Sequence, residues 1–184
     1  MHRLRVKAGK KAYEMIQDGG FNFDDVRACF GAAVGPRWLV ASGFDLTLLE
    51  QQRLGRKHPV HLIGASAGAW RYAAWLQPQA PDAYRKFLTA YINVGYTRQD
   101  TPATILDKFT RIMNEYIEDD ALPFALANKR YRLSVITARA RGLVASEMSG
   151  LQKASLAVCF LFNLLSRNNL YKFAEQVVFY DGSK

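Results

Sequence analysis

Val60-His61-Leu62-Ile63-Gly64-Ala65-Ser66-Ala67-Gly68-Ala69-Trp70 is the stretch on which the reading of this chain turns. A short apolar run with a β-branched start and end, residues 60–63, meets Gly-Ala-Ser-Ala-Gly, and helix-forming residues 69–76 follow at once. The pattern is strand, sharp turn, helix, with a serine at the apex of a G-x-S-x-G frame, the nucleophile-elbow pattern. Each residue type has a physical reason. Gly64 and Gly68 let the strand and helix backbones approach closely, and Ala65 and Ala67 keep the corner small. A helix beginning just past Ser66 aims its free N–H groups at the place where negative charge develops when a serine oxygen attacks a carbonyl. An ordinary βα turn rich in small residues has the same composition, so the strand before and the helix after give the pattern its weight.

Downstream, residues 81–94 and 102–117 carry apolar side chains three and four apart with charges between, the mark of two amphipathic helices. Residues 131–137 alternate like a strand, and Val177-Val178-Phe179-Tyr180 reads as a final one. Upstream, residues 10–17 read as a helix stopped by Asp18-Gly19-Gly20. Residues 26–30 form a short strand candidate that runs into a small-residue loop at 31–37. Pro36 suits the first turn of a helix with apolar positions Trp38, Leu39, Phe44, Leu46, Leu48 and Leu49, closing by Gly55. Strands alternating with helices predict an α/β fold: three layers, a mostly parallel sheet flanked by helices, in a single domain over residues 1–184.

At 184 residues, with 49% hydrophobic and 22% charged side chains, the chain has a globular composition rather than a disordered one. Cys29 and Cys159 sit in apolar runs without metal-ligand spacing and read as reduced core thiols. No metal or other cofactor is expected; the acidic pairs Asp24-Asp25 and Asp119-Asp120 read as helix-end or surface charges. The net charge is +9, with Arg3, Arg5, Lys7, Lys10 and Lys11 crowded at the start. A solvated basic end is the first explanation, and attraction to an anionic membrane surface or a phosphate-bearing substrate is the second. No nucleic-acid-binding motif accompanies the charge. The opening residues lack the apolar segment of a signal peptide, so the expected location is cytoplasmic, with transient contact at a membrane surface.

Residues 156–165, reading LAVCFLFNLL, are the most apolar run. The run is far short of the roughly 20 residues a bilayer crossing needs. Burial as a core helix is the first expectation. The alternative is a lid or interfacial helix, with Lys153 and Arg167 bracketing its apolar body.

A serine hydroxyl attacks a carbonyl only with a base beside it. In the triad built on this kind of turn, the chain order is serine, then aspartate or glutamate, then histidine. The three histidines, His2, His58 and His61, all precede Ser66. The base is therefore a carboxylate, or it lies outside these 184 residues.

With a small-residue loop after the first strand, G-x-S-x-G after the next and no downstream histidine, the chain resembles the patatin-like phospholipases, in a bacterial branch. The resemblance covers about residues 26–140 and is strongest over GAAVGPRWL and LIGASAGAW. It implies a serine acyl hydrolase of phospholipase A type with a Ser–Asp dyad, a lipid acyl ester as substrate, and no cofactor. On that resemblance Ser66 is the nucleophile, Gly64 and Gly68 are the motif glycines, and Ala67 carries the amide after the serine. The 31–37 loop takes the oxyanion position, with Ala33, Val34 and Gly35 as amide donors and Arg37 as the loop's basic residue. Ala33 and Pro36 stand where the family's loop has its second and third glycines, and proline has no N–H to give. The family's aspartate sits in Asp-Gly-Gly or Asp-Gly-Ala. The expectation is that the sequence is an N-terminal fragment with that aspartate beyond Lys184; Asp181, in Asp181-Gly182-Ser183, is the candidate within it. Two further readings stay open: an acyltransferase using the same turn, and a catalytically inactive lipid-binding module with the dyad broken.

Overall fold

The computed structural model describes residues 7–146 and 148–180. In chain order the elements are α1 (Lys10–Gly19), β1 (Ala28–Gly31), α2 (Ser42–Glu50), β2 (Val60–Ala65), α3 (Ala67–Trp75), α4 (Ala80–Asn93), α5 (Pro102–Tyr116), α6 (Ala121–Leu126), β3 (Tyr131–Ala140), α7 (Ser149–Leu165) and β4 (Ala174–Tyr180). Short 3-10 turns fill several connections. The longest, Gly35–Ala41, carries Pro36 in its first turn and takes the place of the first turns of the helix expected there.

The four strands form one open sheet in the order β1-β2-β3-β4. The first three are parallel, and β4 pairs antiparallel with β3. In register, Cys29 lies beside Leu62 and Leu62 beside Leu133, while Phe30, Ile63, Ser134 and Tyr180 form the next row. Because side chains alternate across a sheet, these rows belong to opposite faces. The Cys29, Leu62, Leu133 face packs under α2–α5 in a core of Trp38, Leu48, Tyr72, Trp75, Tyr84, Phe87 and Tyr116. Aromatic packing holds it together. Trp38 stacks on Phe87 with ring centres 4.9 Å apart, and Tyr84 and Tyr91 meet Trp38 edge-on.

The opposite face is open at both edges among the described residues, with Phe30 74% exposed on β1 and Val178 and Tyr180 exposed on β4. On β2 this face carries His61, which is exposed, and Ile63 and Ala65, which are half-buried. The fold is thus an α/β arrangement with a mostly parallel open sheet and flanking helices, and among the described residues the helical layer of α2–α5 lies on one face.

Two expectations change. Residues 156–165 do form the body of a helix, α7, but it is not a buried one. Leu156, Phe160, Leu161, Leu164 and Leu165 are exposed, and Ser155 is buried. The reason is topological: α7 sits in the excursion between β3 and β4, off the helical layer, and its main contacts are with the 3-10 turns that flank it. Cys159 goes with it, half-buried on α7 rather than in the core, whereas half-buried Cys29 packs against the core and burial pushes its thiol pKa up. No helix among the described residues is long and apolar enough to cross a membrane.

Candidate active site

β2 ends at Ala65 and α3 begins at Ala67, so Ser66 alone makes the turn. Its backbone sits at φ 51° and ψ −127°, a region that L side chains rarely adopt and that stores strain. The glycines at either side make the turn sterically feasible. A Cβ on Gly64 would lie 2.5 Å from the Cα of Ala69, and one on Gly68 would lie 2.1 Å from the carbonyl oxygen of Gly31. Gly31 is also close-packed, its would-be Cβ 2.8 Å from the Tyr72 ring and 2.9 Å from the Gly68 backbone. Three glycines therefore let α3 lie directly on the ends of β1 and β2, and that contact pushes Ser66 outward. The side chain is exposed, and among the described residues its Oγ has no hydrogen-bond partner.

Ser66 opens into a mostly apolar cleft of about 750 Å³. Ala33 and Ala65 flank it, Ile136, Thr137 and Ala138 of β3 form the floor, and Arg167, Asn168, Leu170 and Tyr171 form the far wall with the start of β4. The carbonyl of Ser66 accepts from the N–H groups of Ala69 (2.9 Å) and Trp70 (3.2 Å). The amide of Ala67, first in the helix, has no acceptor among the described residues. In the loop after β1 the Val34 N–H turns back to the carbonyl of Ala32 at 3.0 Å, which takes it out of use. Ala33, in the cleft wall, keeps its amide open among the described residues, as does Gly35 at φ 54°. Arg37 is exposed and is not part of the cleft wall.

The structure thus brings Ser66, Ala67 and Ala33 together. Among the described residues it does not bring a histidine: His61 is exposed on β2, and neither it nor His58 lines the cleft. Asp181 lies outside the described residues. The strand before it, β4, starts opposite Ala140 and ends with Tyr180 opposite Ser134, running away from the Ser66 end of the sheet. Glu175 is the carboxylate of the cleft wall among the described residues, and it is shared between Arg139, at 3.3 Å, and Arg141. Among the described residues no cluster of histidine, cysteine and carboxylate side chains is arranged to hold a metal ion.

Behind the turn lies a polar group that pattern reading does not find. Asp45 of α2, only 3% exposed, accepts a hydrogen bond from the Tyr84 hydroxyl of α4 at 2.7 Å and lies 3.0 Å from Nε of Arg71 on α3. Arg71 also donates to the Tyr72 hydroxyl at 2.8 Å and lies over the Tyr72 ring. Burial pushes the Asp45 carboxyl up, while Arg71 and Tyr84 pull it down. Burial also raises the Tyr72 hydroxyl to about 12. Tyr72 in turn rests on Gly31, so the cluster braces the place where β1 opens into the loop beside Ser66. The partners are too far apart in sequence for spacing to reveal them; three charged or hydroxylated residues on apolar helix faces are the signal present in the sequence.

No protein-family model matches the chain, and no curated protein or solved structure matches it either, so the functional reading rests on the geometry and chemistry of this site.

Proposed function

We propose that this chain is a serine acyl hydrolase of the patatin-like type, acting on acyl esters of lipids. The observation that carries the reading is Ser66 itself: a strained, exposed serine at a one-residue strand-to-helix turn, its hydroxyl unengaged among the described residues, facing a largely apolar cleft. Natural folds keep such strain where it serves chemistry. An acyl chain lies along the Ile136, Ala138 and Leu170 walls, and the ester carbonyl meets Ser66 Oγ. Oγ bonds to the carbonyl carbon, the electron pair moves to the carbonyl oxygen, and the amides of Ala33 and Ala67 stabilise the oxyanion. The serine proton passes to a carboxylate and on to the departing alcohol as its C–O bond breaks. Water then repeats the sequence on the acyl-enzyme and releases the fatty acid.

The proposal gives the base to an aspartate, with Asp181 the candidate in this sequence; Glu175, already held by two guanidiniums, does not fill the role. In this reading the open sheet face bearing Phe30 and Val178 is the side on which the third layer of a patatin-like domain packs. The absence of an uncommitted carboxylate from the cleft among the described residues favours a second reading, a lipid-binding module that has kept the turn and lost the dyad.

A fluorophosphonate probe separates the two. Labelling of the folded chain at Ser66, abolished in Ser66→Ala, supports the hydrolase. No labelling of a full-length chain that folds by circular dichroism overturns it in favour of the binding module. An acyltransferase labels in the same way and is told apart by transferring the acyl group to an added alcohol rather than to water.

A further inference from the structure

Helix α7 is built inside out. Its less exposed positions are Ser155, Cys159 and Asn163, four residues apart, so the stripe turned toward the protein is small and polar. Leu156, Phe160, Leu161, Leu164 and Leu165 point to solvent, where Leu161 is 59% and Leu164 67% exposed. A soluble surface helix has the reverse pattern, and an exposed apolar face of this length marks a contact surface. Three basic residues bracket it. Lys153 lies near its start, Arg167 and Lys172 lie just past its end, and neither Lys153 nor Arg167 has a carboxylate partner among the described residues. The turn that follows, Arg167–Lys172, is also the far wall of the Ser66 cleft.

We infer that α7 and the Arg167–Lys172 turn form a docking face for an anionic phospholipid surface, which sets the mouth of the Ser66 cleft against the lipid. The inference rests on the lipid-ester reading of that cleft, but its binding readout needs no catalysis. The helix is too short to cross a bilayer and lies along it instead, with leucines and phenylalanines in the acyl boundary and the basic ends at headgroup level. A second copy of the chain fits the face less well. Packing α7 against itself, parallel or antiparallel, sets basic ends beside basic ends.

Vesicle sedimentation of the 184-residue chain tests this, with phosphatidylcholine vesicles made with and without phosphatidylglycerol. Binding is expected to the anionic vesicles and to weaken with salt. Leu161→Asp with Leu164→Asp is expected to reduce it roughly tenfold or more, because two exposed apolar anchors are lost without disturbing the core. Lys153→Glu with Arg167→Glu is expected to reduce binding to anionic vesicles about fivefold per residue at least and to leave phosphatidylcholine binding unchanged. If the aspartate pair fails to fold, the charge reversals carry the test. Parent-like vesicle binding by the variants overturns the inference. So does absence of vesicle binding with a dimer that Leu161→Asp dissociates, since the occupant is then a second copy. Fluorophosphonate labelling is read in parallel: vesicle binding without labelling leaves the docking face standing and removes the hydrolase, and labelling with vesicle binding indifferent to α7 does the opposite.

Discussion

Replacing Gly68 by alanine asks whether glycine contact is what holds Ser66 in its turn. A Cβ at position 68 would lie 2.1 Å from the Gly31 carbonyl oxygen, 2.3 Å from its carbonyl carbon and 2.7 Å from its Cα. All three are backbone atoms, so no rotamer relieves the collision. Restoring ordinary contact requires β1 and α3 to part by roughly 1 Å, which forfeits much of the local dispersion energy. Overpacking of this kind costs about 3 kcal/mol, and alanine's better helix propensity returns up to about 1 kcal/mol. The net is about 2 kcal/mol, roughly a thirtyfold fall in the folded-to-unfolded ratio. Gly43→Ala is the control. It too lies in a helix, α2, but nothing lies within 4 Å of its Cβ, so it is expected to be neutral or to stabilise by up to about 1 kcal/mol. Urea unfolding followed by circular dichroism reads both variants as a shift in midpoint at unchanged slope. A Gly68→Ala midpoint at or above the parent's refutes the reasoning.

Two further outcomes follow from the same geometry. Ser66→Gly is expected to raise stability by about 1 kcal/mol while abolishing fluorophosphonate labelling, because glycine accepts φ 51° and ψ −127° without strain; a lower melting temperature would contradict the strain. The Arg56 guanidinium beside Asp24 holds that carboxyl below its usual 3.8, so this contribution to stability is complete above that value and is lost as pH falls through the lower folded one. The stability gap between parent and Asp24→Asn should therefore narrow below about pH 4, and a gap that is constant with pH argues against the pair.

Most of the helical layer was legible from spacing alone. The expected helices at 81–94 and 102–117 correspond to Ala80–Asn93 and Pro102–Tyr116, because three- and four-residue apolar periodicity acts locally. The turn at Ser66 was readable for the same reason: glycine spacing encodes close approach before any tertiary contact is known. Three features were not local. The direction of β4 depends on where the chain re-joins the sheet. The exposure of α7 depends on what lies beside it, so an apolar run that favours burial can still face outward. The Asp45, Arg71 and Tyr84 cluster joins three helices, and no single segment of the sequence announces it. Within the site, the serine and the amide after it were plain, whereas the fate of the Val34 amide depended on a loop turn that residue type does not specify.

The pairing of β3 with β4 has a kinetic consequence. Ala140 meets Ala174 only after the chain has travelled through residues 141–173, so this antiparallel ladder is closed by a long excursion rather than a tight hairpin. Closing a loop of that length costs about 3 kcal/mol of chain entropy before the first rung repays it. Such contacts form late in folding and open early in native-state fluctuations. Amide hydrogens of Ala174–Tyr180 should then exchange sooner than those of Val60–Ala65, which places the far rim of the Ser66 cleft in the part of the molecule that breathes first.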